Sequence, residues 1–214
     1  MKKILIIILG MVSMMASAQT MRRMWISMPD SIVPYLTESN RTELADYVDL
    51  GMEAVIQNQL KDTTRIKEMK NDYIDVQLSA ASRLQMKLLS WKGGAEKDTL
   101  LCMVVTHYGP AAESRIAFYD RSWQQLTIVQ PLPSQYSAPV DIRLFVTRPD
   151  SISDGEYEEL ITLMQPEMVS MELSPADNSL IMSASLPPMS RDDISRIKGY
   201  IVQRKFNWDG RRFN

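Results

Sequence analysis

Two apolar periods organise the first half of the chain. Leu44, Val48, Met52, Val55, Ile56 and Leu60 recur at helical spacing against charged flanks, the stripe of an amphipathic helix. Asn40 and Glu43 open it with the spacing of a capping box. Gly51 inside it marks a bend or a close approach, because glycine costs about 1 kcal/mol relative to alanine in a helix. Lys61 to Lys70 reads as a charged connector, and beyond it the period falls to two. Ile74, Val76 and Leu78 alternate with polar residues, as do Leu84, Met86 and Leu88, around a turn at Ser79-Ala80-Ala81-Ser82. That is an antiparallel hairpin with a core face and a wet face. Upstream, Met21 to Ser27 is expected as a strand or an anchoring arm, and Met28-Pro29-Asp30-Ser31 as a turn ending near Leu36.

Leu100 to His107 is apolar on both faces and predicts a central strand, stopped by Gly109-Pro110. Ser114 to Tyr119 predicts another, turned at Asp120-Arg121-Ser122, with Trp123 to Val129 returning. Pro131, Pro133 and Pro139 make the segment from Gln130 to Val140 the best internal boundary. Asp141 to Val146 reads as a short strand. Ser153 and Glu156 cap a helix bearing Tyr157, Leu160, Ile161 and Met164, which Pro166 stops. A second hairpin pairs Met168–Leu173 with Leu180–Leu186 across Ser174 to Asn178. Ser190 and Asp193 cap a last helix carrying Ile194, Ile197 and Ile201. The end, Phe206 to Asn214, is basic and aromatic, with Trp208, Arg211, Arg212 and Phe213, and is expected to fray.

The plan of the first half returns in the second. Pro29-Asp30-Ser31-Ile32 matches Pro149-Asp150-Ser151-Ile152, and Leu78-Ser79 with Leu84-Gln85-Met86 matches Leu173-Ser174 with Leu180-Ile181-Met182. Duplication of a helix-plus-hairpin unit explains this; so does coincidence between common turn and strand chemistries. The expected fold is α+β, a mostly antiparallel sheet with helices packed on one face. Residues 19–130 and 131–214 form two such halves or one continuous domain.

The first residues read as a cleavable leader. Lys2 and Lys3 precede the apolar run from Ile4 to Met15, and Ala16-Ser17-Ala18 supplies the small residues of a cleavage site, leaving Gln19 first. The run falls short of the ~20 residues a membrane span needs. No cysteine follows the site, which disfavours a lipid anchor, and no second long apolar run follows, so no transmembrane span is expected after cleavage. The expected location is periplasmic or extracellular. The formal charge is -2 over 214 residues, and losing Lys2 and Lys3 takes it to -4. A mildly acidic, mixed surface offers no footprint for nucleic acid.

Candidate chemistry is sparse. Cys102, the only cysteine, excludes an internal disulfide and lies in an apolar strand, where a thiol packs as a small hydrophobe. His107, the only histidine, is five residues on, so the two side chains point to opposite faces of one strand. No HExxH or Gly-x-Ser-x-Gly pattern occurs, and Gly93-Gly94 lacks the spacing and lysine of a phosphate loop. Asp30 and Asp150 read as turn caps, Asp72 and Asp75 as strand-edge charges, and Asp177 with Asn178 as turn residues. No catalytic, cofactor-binding or metal residue is assigned, and no cofactor is expected. Twelve of the 16 methionines follow the leader. They serve as core filler or line an adaptable apolar groove, with Trp25, Trp91, Trp123 and Trp208 in the core or along such a surface.

The runs MPDSIVPYLTESNRTELADYVD, DYIDVQLSAASRLQMKLL and LSPADNSLIMSASLP resemble a domain-of-unknown-function family (family 3256) of exported Bacteroidetes proteins. The resemblance covers most of the chain after the leader. It implies a periplasmic or surface location and brings no assigned activity. The expected function is a non-catalytic binding or accessory module of the bacterial envelope, its partner an envelope protein or an apolar ligand. The alternatives are an envelope hydrolase using dispersed carboxylates and an assembly or scaffold role.

Overall fold

The computed structural model describes residues 20–93, 98–128, 130–137, 139–148 and 150–214. The expected leader, Gly94 and Pro149 lie outside them. Alternation sorts the side chains of β3 (Tyr73–Ser79), β4 (Ser82–Trp91), β5 (Asp98–Tyr108) and β6 (Ala112–Tyr119) onto two faces. Ile74, Val76, Leu84, Met86, Leu101 and Met103 enter one core. Tyr73, Leu89, Leu100, Cys102, Val104 and Phe118 enter the other. A strand covered on both faces needs apolar residues at every position, which is why Leu100 to Val105 shows no alternation.

These strands, with β1 (Val55–Gln57), β2 (Thr63–Met69) and β7 (Gln125–Leu126), form a seven-stranded antiparallel sheet in chain order. Helices α1 (Thr20–Ile26) and α2 (Glu38–Asp49) cover its first face. The second face carries a smaller sheet, ordered β10-β9-β8, of β8 (Met168–Leu173), β9 (Ser179–Ser185) and β10 (Arg204–Asn207). Helices α3 (Asp154–Leu163) and α4 (Arg191–Lys198) pack into this second core through Leu160, Ile161 and Ile197. The fold is α+β and mostly antiparallel. Residues on both sides of position 130 build the second core, from Tyr73 to Phe118 and from Leu132 to Phe213.

Several elements differ from the sequence reading, each for a local reason. Met21 to Ser27 is helical, because Met21, Met24, Trp25 and Met28 fall at i, i+3, i+4 and i+7 and all four are buried. The next helix ends at Asp49, well before Leu60. Gly51 adopts φ 67°, and the Gly51 and Met52 amides donate to Val48 O (3.0 Å) and Tyr47 O (2.8 Å), the bond pair of a Schellman stop. Met52 and Leu60, expected on its apolar stripe, are 56% and 64% exposed. Its cap is Thr37 with Asn40, not Asn40 with Glu43. The connector contains β2, which buries Thr64 and Ile66 between exposed Arg65 and Lys67. Ile142–Phe145 is a 3-10 turn rather than a strand. The tail does not fray: Phe206, Trp208 and Phe213 are buried, and Trp208 Nε1 donates to Ser90 O (2.6 Å).

Arg41 organises the first turn. It is 1% exposed, and its guanidinium donates to Asp30 Oδ1 (2.9 Å), to Ile26 O (3.3 Å) and to the carbonyls of Leu36 and Met28. A planar five-donor group suits such a fan of acceptors. The chain from Met28 to Leu36 wraps around it.

Candidate functional site

The two sheets meet along a polar seam. β8 crosses the large sheet with one edge facing it, and side chains rather than a strand bond that edge. Gln85 from β4 accepts from Leu173 N (3.3 Å) and donates to Leu173 O (3.4 Å) and to the Tyr73 hydroxyl (2.6 Å). Ser114 Oγ from β6 accepts from Met171 N (2.9 Å) and is bonded to Thr106 Oγ1 (2.7 Å). Arg83 grips both oxygens of Asp75 (2.8 Å each) and reaches Glu172 (2.9 Å). The bond to Asp75 foremost holds the guanidinium in its charged form. Burial, and then the Asp75 charge, pushes the Tyr73 hydroxyl up to about 12. Lys87, also buried, pairs with Asp72 at 3.0 Å.

Where the seam ends, a cleft of ≈ 690 Å³ opens between β6, β8 and a wall made by Pro131, Leu132, Tyr136, Ser137, Pro139 and Val140. Its apolar walls come from Ile116, Leu132, Tyr136, Val140, Met168 and Val169, and its charges are Glu113, Arg115 and Glu167. The size and the mix of apolar walls with few polar groups suit a ligand site. Tyr136 is held edge-on against Phe145 (5.9 Å) and Phe206 (4.8 Å). Glu167 accepts from Ile142 N (3.4 Å) and Gln165 Nε2 (2.9 Å).

The β6 side of the cleft is a strand edge. Four consecutive residues, Glu113 to Ile116, line it. Side chains of a strand alternate between faces, so all four line one hollow only where the backbone is its wall. The direction of the backbone groups follows from the ladder. Asp120 N donates to Gln124 O on the β7 side (3.0 Å), and bonding direction repeats every second residue. Phe118, Ile116, Ser114 and Ala112 therefore direct their N–H and C=O that way. β7 reaches only Phe118 and Tyr119. Among the described residues, no strand takes up the outward groups of Ala112, Ser114 and Ile116. By the same period, the outward bonds of Leu173 and Met171 place those of Val169 toward the cleft.

The residues singled out in the sequence do not converge there. Cys102 is buried, and burial pushes its thiol up; His107 is exposed on the opposite face of β5. Asp30 serves Arg41, and Asp72 and Asp75 serve the seam. Asp177 holds the β8–β9 turn, its carboxyl kept well below the usual range by Lys205 (2.8 Å) and Ser179. Trp25 is buried, its Nε1 donating to Arg41 O (2.9 Å), and Trp208 stacks on Phe118 at 5.8 Å. Of the groove methionines expected, Met168 and Met171 line the cleft. The sequence reading missed Tyr136 and Val140, which it placed in a boundary segment; apolar residues every fourth position among the prolines were the signal. Among the described residues, no group of three or more His, Cys, Asp or Glu side chains is placed to hold a metal.

A family described as "Protein of unknown function (DUF3256)" matches residues 12–213. The chain belongs to the DUF3256 family. A solved domain of an uncharacterized protein from Porphyromonas gingivalis W83 shares this family member's fold, with TM-score 0.69 and 20% identity over 91% of this chain and 98% of that one. No curated protein matches. Among the described residues, no helix is long and apolar enough to cross a membrane.

Proposed function

We propose that this DUF3256 member is an exported, non-catalytic binding module of the Bacteroidetes envelope, and that the β6–β8 cleft holds the apolar body of its ligand or partner. The observation that carries this is the cleft itself, roomy and open, with apolar walls from three segments distant in sequence. Lys2, Lys3, the run from Ile4 to Met15 and Ala16-Ser17-Ala18 support export. The origin of the structural relative in Porphyromonas gingivalis supports the lineage. The rival reading, a hydrolase using dispersed carboxylates, has Glu113 and Glu167 in this cleft as its pair. Both are exposed at the rim, and Glu167 is already engaged with Ile142 and Gln165.

Titration with anilinonaphthalene sulfonate, read by fluorescence, tests the cleft. The parent protein should bind the dye saturably, and Ser137→Trp, which fills the cleft, should abolish that binding without lowering the melting temperature. Equal binding by parent and variant would refute the site. The double variant Glu113→Gln, Glu167→Gln should still bind the dye. If the parent cleaves envelope glycans and the double variant does not, the hydrolase reading replaces this one.

A further inference from the structure

We infer that the occupant of this cleft is an extended polypeptide segment of a partner protein, which adds to the open edge of β6 as a further strand. The inference rests on the binding reading above and names its chemistry.

Three features point to a strand rather than to a lipid or another compact apolar molecule. The first is the row of outward backbone groups at Ala112, Ser114 and Ile116. A lipid tail would fill the hollow and leave these donors and acceptors without partners, whereas an added strand bonds each of them. The second is how lightly the edge is protected. Sheet edges are normally blunted by shortness, by charged side chains (lysine above all), by proline, by a bulge or by a covering helix or loop. The opposite edge of the same sheet, β1, is only three residues long. From Ala112 to Ala117 the chain is AESRIA, without lysine or proline and in unbroken register with β5. Its two charges, Glu113 and Arg115, are opposite in sign and share one face, so they repel no incoming strand that carries the complementary pair. The third is the division of side chains. The apolar walls at Tyr136, Val140 and Met168 lie ready for every second residue of an incoming strand, while Glu113 and Arg115 stand two apart on the other face. Cross-strand charge pairing asks for a basic and an acidic residue two apart on the partner. The recognised segment therefore alternates, apolar toward β8 and charged away from it.

Backbone hydrogen exchange is the first readout. In the free protein the Ser114 and Ile116 amides should exchange at least about tenfold faster than those of Glu113, Arg115 and Ala117, which bond β5. The second step is selection from a displayed library of random peptides of about ten residues, the reach of one strand, against the protein and its Ser137→Trp variant. Peptides specific for the parent should alternate apolar and polar residues and slow exchange at Ser114 and Ile116 about tenfold or more. N-methylation of every second residue on the bonding edge should weaken them about tenfold per methyl, and methylation of the intervening residues should not.

Peptides that bind while Ser114 and Ile116 exchange as in the free protein would overturn strand addition, as would peptides indifferent to methylation. No enrichment over the Ser137→Trp variant would overturn it too. Saturable dye binding would then leave the cleft standing as an apolar site; without dye binding, both readings fall. A concentration-dependent dimer protecting the same two amides would replace the partner with a second copy of this chain.

Discussion

Gln85 does the work of a short strand with one side chain. Its amide carries a donor and an acceptor in the geometry of a peptide group, and it bonds both backbone groups of Leu173, as a neighbouring strand would. Gln85→Leu keeps the volume and removes the bonds, leaving Leu173 N–H and C=O and the Tyr73 hydroxyl short of partners. At about 1–3 kcal/mol per buried orphan, offset in part by apolar burial, the variant should lose about 2–4 kcal/mol. Urea denaturation should show a lower midpoint with an unchanged slope. Tyr73 itself gives a pH signature. Its hydroxyl ionises near 10 when unfolded and at about 12 when folded, so the folded state holds the proton longer. This contribution is complete below pH 10 and is lost as pH rises from 10 through 12, by at most roughly 2–3 kcal/mol. Stability measured from pH 9 to 12 should fall more steeply in the parent than in Tyr73→Phe. Neither role was visible in the sequence, where Gln85 is one polar position on an alternating strand. A polar residue facing a second sheet and one facing water obey the same period.

Among elements, legibility followed how local the determining signal was. The β3–β4 hairpin and the caps of α3 and α4 could be read directly, because a period of two and a Ser-x-x-acid pattern are set within a few residues. The end of α2 was misread because the apolar stripe continued past Gly51 into β1, although glycine after the last helical turn is itself a stop signal. β2 was hidden by its charges: Arg65 and Lys67 mark its wet face, and Thr64 is a weak marker for the dry one. The turn from Met28 to Leu36 depends on Arg41, which lies outside it. Arg41→Lys should therefore behave as a loss, since one ammonium cannot span four acceptors. A drop of about 2–4 kcal/mol is expected from the carbonyls of Ile26, Met28 and Leu36 that a single ammonium leaves short of donors, with new proteolytic cleavage between Met28 and Leu36 as a local readout. Wild-type resistance across that segment in the variant would show that the turn holds without the guanidinium.

Across the whole molecule, the cleft was the least legible feature. Its walls lie near positions 115, 136 and 168, and no local pattern links them. The open edge of β6 was not legible either: Trp123 to Val129 was expected to return along all of it, whereas β7 is only Gln125–Leu126, Trp123 adopts φ 63°, and Val129 lies outside the described residues. The seven strands of the large sheet run in chain order, each beside its predecessor, so neighbouring hairpins can form from contacts close in sequence. The seam joins residues 88 apart. Contacts of long loop length are entropically the last to be rewarded on the way to the native state. The seam is therefore expected to close late, as a latch on hairpins already formed. Weakening it should leave the folding rate nearly unchanged and shorten the lifetime of the folded molecule.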